Sequence, residues 1–254
     1  MMHFRLPQRV LTVVFCGTAA LAADVCGGLP IRPPEASSYL DPPRSFDFRL
    51  SVKSGGPAFR VKVRPLLLKW QVDSGGMVHA GDIEISRCED GKQSQVLPLM
   101  AWQPINFGAS FEAQDIDFDG LLDFSVLTEF AAKWGSRSYW AYDPESGQFV
   151  ENDLTRELSR NCLGAEWHGG CWKSDQINFD PIRREISAHY FAGVGKCGGP
   201  VDRYRLERNR LIVVHKEVLD MKPDACTITV SDLSRGIMRV TEVRRFDARG
   251  EPLK

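Results

Sequence analysis

The chain has 254 residues, 43% of them hydrophobic, with 32 basic and 33 acidic side chains and a formal net charge of −1. That balance offers no basic excess to nucleic acid or to an anionic membrane, so neither is expected as a partner. The length allows one domain with a substantial core.

The first 23 residues have the layout of a signal peptide. Arg5 and Arg9 form a positive n-region, an apolar stretch runs from Val10 to Leu21, and Ala20-Leu21-Ala22 supplies a small-residue cleavage site. The stretch is too short to span a membrane, and Phe15 is too bulky to precede a lipid-attachment cysteine at Cys16. No later segment is long and apolar enough for insertion. The expected location is the periplasm or the exterior.

Of the seven cysteines, one falls in the signal segment, leaving Cys26, Cys88, Cys162, Cys171, Cys197 and Cys226. An even number in an oxidising compartment implies disulfides. Closeness in sequence suggests Cys162–Cys171 and Cys197–Cys226, with Cys26–Cys88 tying down the N-terminal arm. His168-Gly169-Gly170-Cys171 is compatible with zinc, but export favours pairing.

Residues 24–45 hold Pro30, Pro33, Pro34, Pro42 and Pro43, the composition of an extended tether. From Phe46 the pattern alternates strictly. Phe46, Phe48, Leu50 and Val52 are separated by Asp47, Arg49 and Ser51, and Phe59–Arg64 repeats the pattern after a Gly55-Gly56-Pro57 turn. Ile83-Glu84-Ile85 is a third instance. Trp140–Tyr142 and Gln148–Val150 flank Asp143-Pro144-Glu145-Ser146-Gly147, a hairpin with proline where a type I turn places it. Tyr204–Leu206 and Leu211–Val214 flank a turn at Arg208-Asn209, and Ile228–Val230 and Met238–Phe246 are further strands. Only residues 153–159 have a helical look. The expectation is a single all-β domain over residues 46–254. At roughly 40 residues per blade it would make a β-propeller of about five blades, with a two-sheet sandwich as the alternative.

The most informative segment is Asp115-Ile116-Asp117-Phe118-Asp119-Gly120-Leu121-Leu122-Asp123. Carboxylates at alternate positions repel one another unless a cation lies between them, and Ca²⁺ takes six to eight oxygens at about 2.3–2.6 Å. Asp115, Asp117 and Asp119 occupy loop positions one, three and five, Gly120 makes the turn, Leu121 offers its carbonyl and Asp123 stands at position nine. The bidentate glutamate of the helix–loop–helix motif is absent, because Val126 stands at position twelve. Glu129 comes later and Glu112 earlier. The run Phe124–Leu127 resembles a strand rather than a helix.

Catalytic signatures are missing. His79, His168, His189 and His215 adjoin no nucleophile motif, and Gly108-Ala109-Ser110 and Gly135-Ser136-Arg137 lack the strand–elbow–helix context of a serine hydrolase. No phosphate loop or dinucleotide fingerprint occurs. Trp134, Trp140, Trp167 and Trp172 suit sugar stacking but more often anchor cores. The chain is expected not to be an enzyme. Two segments have the composition of display loops, 133–139 and the glycine-rich 192–200.

The run Asp-Ile-Asp-Phe-Asp-Gly-Leu-Leu-Asp-Phe (115–124), followed by Ser-Tyr-Trp-Ala-Tyr-Asp-Pro-Glu-Ser-Gly-Gln-Phe (138–149), resembles a group of exported bacterial calcium-binding proteins. These are periplasmic immunity proteins against peptidoglycan-hydrolase effectors of bacteria-killing type IV secretion systems, and they are similar to periplasmic inhibitors of invertebrate-type lysozyme. The resemblance is best over 112–150 and weaker to about 246. It implies a propeller-like fold with one structural Ca²⁺ and loops that enter a lysozyme cleft. The inhibitors' contact loop contains Ser, Gly and Tyr, which Ser136, Ser138 and Tyr139 match best here. Gly135 precedes the serine instead of following it, and Arg137 intervenes. Arg137 suits two-pronged binding of an ionised carboxylate at the base of such a cleft. The expected function is blockade of a lysozyme-like peptidoglycan hydrolase. The alternative is a calcium-dependent adhesion or scaffold module, for which the acidic loop alone suffices.

Overall fold

The computed structural model describes residues 25–33, 44–65, 78–101, 111–131, 134–160, 166–167, 170–171, 176–190, 199–208, 210–247 and 249–253. Among these residues the structure is all-β with a single helix. The first sheet is an antiparallel meander of β1 (Phe46–Ser51), β2 (Ala58–Pro65), β3 (Val78–Arg87) and β4 (Gln93–Ala101). The second is another meander, of β5 (Phe111–Gln114), β6 (Asp123–Ala131), β7 (Trp134–Asp143) and β8 (Gln148–Val150). Helix α1 (Asp153–Arg160) and a short ribbon of β9 (Glu166–Trp167) and β10 (Gly170–Cys171) follow. A third sheet holds β11 (Gln176–Asp180), β12 (Glu185–His189), β13 (Val201–Glu207), β14 (Arg210–Met221), β15 (Ala225–Ser234) and β16 (Ile237–Asp247) in chain order.

The described residues form meanders of four, four and six strands, and a five-bladed propeller is not seen among them. The sandwich alternative fits better, because the first two sheets bury one shared core. The alternating residues Phe48, Leu50, Phe59, Val61, Ile83 and Ile85 meet Phe111, Phe124, Val126, Trp140 and Phe149 there. Each such side chain removed from water contributes about 1.5–3 kcal/mol. The aromatic rings interlock, with Phe48–Phe111 centroids 4.8 Å apart, edge to face, and Phe111–Phe124 stacked at 4.9 Å. Gln95 of β4 links the two sheets further. Its amide donates to the Phe149 carbonyl at 2.5 Å and its Oε1 accepts the Phe149 N–H at 3.0 Å.

A second core lies on the opposite face of β7. Tyr139 meets Leu154 and Leu158 of α1, and Ile186, Ala188, Tyr190, Tyr204 and Leu206 of the third sheet. Leu154 and Leu158 are four residues apart and so share a helix face. Asn152 caps α1 reciprocally: its Oδ1 accepts the Thr155 N–H at 2.9 Å, and Thr155 Oγ1 accepts the Asn152 N–H at 2.8 Å.

The expected Cys26–Cys88 disulfide is present and ties down the first part of the N-terminal arm. Residues 25–30 are not a free tether. Val25 N donates to the Cys88 carbonyl at 3.0 Å, and Arg49 N donates to the Pro30 carbonyl at 2.8 Å. Closing a loop with a sequence separation of 62 stabilises by about 4 kcal/mol in the chain-entropy picture. Cys226 is also disulfide-bonded. The expected pairings Cys162–Cys171 and Cys197–Cys226 lie in part outside the described residues, as does most of the loop 192–200, and the signal segment lies wholly outside them.

Candidate metal centre

Residues 115–123 connect β5 to β6. Alternation divides the loop between two tasks. Ile116 and Phe118 turn into the second core, where Ile116 is fully buried and the Phe118 ring lies 6.4 Å from Phe179 of β11. The intervening aspartates turn away from that core. Phe118 has a φ of 61° and Gly120 one of 86°. At Gly120 a Cβ would meet no atom within 4 Å, so the glycine serves backbone conformation and not space. Phe118 has no such freedom, and its packing holds it in the left-handed region.

Oxygens of Asp115, Asp117 and Asp123 lie within 4.8 Å of one another. Two oxygens on opposite sides of one cation bonded at about 2.3–2.6 Å are at most about 5 Å apart, so a single ion can touch all three. The donors are carboxylates, with no sulfur or imidazole, which suits a hard cation and not zinc or copper. The donor set therefore fits the group expected from the sequence. Asp119 is exposed and outside this trio. Its Oδ1 accepts the Leu121 N–H at 2.7 Å. Asp115 braces the turn by accepting N–H groups of Asp119 at 3.1 Å and Gly120 at 3.0 Å. Of the two glutamates considered as a further ligand, Glu112 is turned to Arg137 at 3.1 Å, and the side chain of Glu129 lies outside the described set.

The electrostatics agree with the geometry. Burial pushes the Asp117 carboxyl up to about 6, and the charges of Asp119 and Asp115 add to it. Burial pushes Asp123 up to about 8 against the N–H groups of Tyr142 and Ile116, which each donate to it at 2.8 Å. Asp115 is raised as well, chiefly by burial. The site carries more negative charge than its surroundings accommodate, which a divalent cation would offset. Asp123 gives both oxygens to backbone donors of the loop and of β7, so it anchors the loop as well as facing the cluster.

The expected recognition residues are placed differently. Residues 134–139 form part of β7, paired with β6, and not a connecting loop. Tyr139 is a core residue, 2% exposed, and Ser136 is buried. Tyr139 N donates to Ser159 Oγ of α1 at 3.0 Å. Arg137 lies along the sheet, its Nε donating to Ser125 Oγ at 2.9 Å and its Nη1 near Glu112. Arg137 and Ser138 are half-buried, and the Arg137 side chain is 15% exposed. This corrects the picture of a protruding Ser136–Tyr139 tip. The physical reason is that a buried tyrosine alternating with Trp140 on the other face fills two cores at once.

Sequence reasoning missed a polar network in the third sheet. His215 Nδ1 lies 2.7 Å from Asp232, its Nε2 lies 3.5 Å from Glu217, and Glu217 also binds Arg244. The register puts these residues side by side, a long-range pairing invisible in composition. Among the described residues no helix is long and apolar enough to cross a membrane.

No family model matches the chain, and no curated protein matches it. Among solved structures, a Xanthomonas type IV secretion system related protein aligns over 82% of this chain and 97% of its own, with a TM-score of 0.49 and 17% identity. That similarity is too distant to carry a functional argument.

Proposed function

We propose that the chain is an exported, calcium-stabilised binding protein that blocks a lysozyme-like peptidoglycan hydrolase. The observation that supports the calcium part is the convergence of Asp115, Asp117 and Asp123 to within 4.8 Å. Ca²⁺ is the hard cation that tolerates such an irregular set, completing its shell with carbonyls and water, whereas Mg²⁺ demands a tighter octahedron. Bound there, the ion would supply charge compensation. The chain's own residues do the rest: Asp123 joins loop to strand, and Phe118 holds the loop on the second core. The inhibitory part rests on the resemblance of residues 112–150 to the immunity and lysozyme-inhibitor proteins. Disulfides and a clamped loop would reduce the ordering cost of binding.

The test combines capture and activity. The mature protein in calcium is used to capture periplasmic peptidoglycan hydrolases, and muramidase activity is measured on whatever is retained. A stoichiometric complex with activity lost supports the reading. Folded, calcium-loaded protein that retains no hydrolase overturns it and favours the adhesion or scaffold alternative.

A further inference from the structure

Strand β16 ends the third sheet, and among the described residues no strand pairs beyond it. Only its C-terminal end is covered, where Leu253 N donates to the Arg245 carbonyl at 2.8 Å and Pro252 bridges Phe246. Among the described residues, 237–244 form an open edge, with a bulge between Val240 and Glu242. Such edges are templates for another strand, and proteins usually shorten or cover them. This one exposes large apolar side chains: Ile237 is 59% exposed, Val240 62% and Val243 50%.

The register with β15 sorts these residues by face. Met238, Val240 and Val243 stand opposite Leu233, Ser231 and Thr229, and Thr229 in turn stands opposite the exposed Val218 of β14. They form an apolar stripe on the outer face. Arg239, Glu242 and Arg244 stand opposite Asp232, Val230 and Ile228 on the other face. The carboxylates near this edge are already engaged. Glu242 lies 3.7 Å from Arg244, Asp232 accepts from His215 and Thr241, and Asp247 accepts the N–H groups of Arg249 and Glu251. Arg239, within the open stretch, is thus a cation with no ion-pair partner among the described residues.

We propose that this edge accepts an extended segment of a partner as an additional strand, one that alternates apolar and acidic residues. Its apolar side chains continue the Val240–Val243 stripe, its carboxylates meet Arg239 on the opposite face, and its backbone takes up the open ladder. A second copy of β16 is disfavoured as occupant, because it would bring the same unpaired guanidinium group to the joint.

The probe is a fluorescein-labelled octapeptide of alternating valine and glutamate, titrated with the full chain and followed by anisotropy. Saturable binding is expected, weakened at least about tenfold by Arg239→Glu and by raised salt. N-methylation of alternate peptide amides should abolish it, which tests the ladder without altering the protein. The charge-reversal variant alters an exposed position only, and its circular dichroism and melting curve should match the parent's. No binding, equal binding of a valine–lysine octapeptide, or binding indifferent to N-methylation overturns the proposal. So does a concentration-dependent dimer lost on Val240→Lys, which would assign the edge to a second copy.

Discussion

Asp117 is subject to two opposed demands. It is close enough to Asp115 and Asp123 to share a cation, and without one it is held in repulsion by its neighbours. Asp117→Asn should therefore behave oppositely in two conditions. In EDTA it relieves repulsion, and the variant should melt at or above the parent. In millimolar calcium the parent gains RT ln(1 + [L]/Kd), about 4 kcal/mol for a micromolar site, and the variant should gain far less. Equal losses in both conditions, read by thermal melts, would show that the carboxylate serves packing instead. Tyr139 illustrates the reverse case. As a buried ring between α1 and the third sheet, its truncation in Tyr139→Ala should cost about 3–5 kcal/mol. Urea unfolding would show this as a shifted midpoint with an unchanged slope. The division of labour in the acidic loop was legible, because alternation of Asp with Ile and Phe states which side is buried. The burial of Tyr139 was not, since Gly, Ser and Arg beside it have weak strand preference and its partners are distant in sequence.

Among the elements, the alternating strands β1, β2 and β3, the β7–β8 hairpin and α1 could be located from period and turn chemistry alone. In the hairpin turn Gly147 N donates to the Asp143 carbonyl at 2.8 Å, with Gly147 at a φ of 67°. Strand β5 escaped notice because only Phe111 of its four residues is buried, so it has no pattern to show. The third sheet holds an element-scale prediction. Asp202 of β13 is buried, accepts the Glu217 N–H at 3.1 Å and the Tyr204 hydroxyl at 3.3 Å, and burial holds its carboxyl above the ordinary range. The folded sheet then keeps a proton that the unfolded chain releases. Its contribution is fully present below the ordinary aspartate pKa and is lost as pH rises through the raised value. Asp202→Asn removes that dependence while leaving an acceptor for Glu217. Relative to the parent, the variant should gain stability on going from about pH 4 to about pH 7, as measured by melting at each pH. A difference that does not change with pH would contradict this.

At the scale of the whole molecule, sequence indicated an all-β chain with a calcium-type loop but not how its strands are shared among sheets. Strand length and turn spacing are similar in blades and sandwiches, and only long-range register distinguishes them. That register places the acidic loop where three sheets come together. Leu122 N donates to the Val52 carbonyl beyond β1 at 2.7 Å, Asp123 accepts the Tyr142 N–H of the second sheet, and Phe118 lies against Phe179 of the third. An ion bound by Asp115, Asp117 and Asp123 would hold one end of each connection. Chelation should then be felt beyond the loop. Hydrogen exchange in EDTA should accelerate by about tenfold or more at Ile116, Leu122 and Tyr142, and in β11 behind Phe118, compared with the calcium-loaded protein. Val61 and Ile85 are fully buried in the first core, against which only the half-buried Leu121 of the loop packs, so their exchange should change less. Acceleration confined to residues 115–121 would mean that the loop binds its ion as a local appendage and that the packing of Ile116 and Phe118 alone fixes the junction.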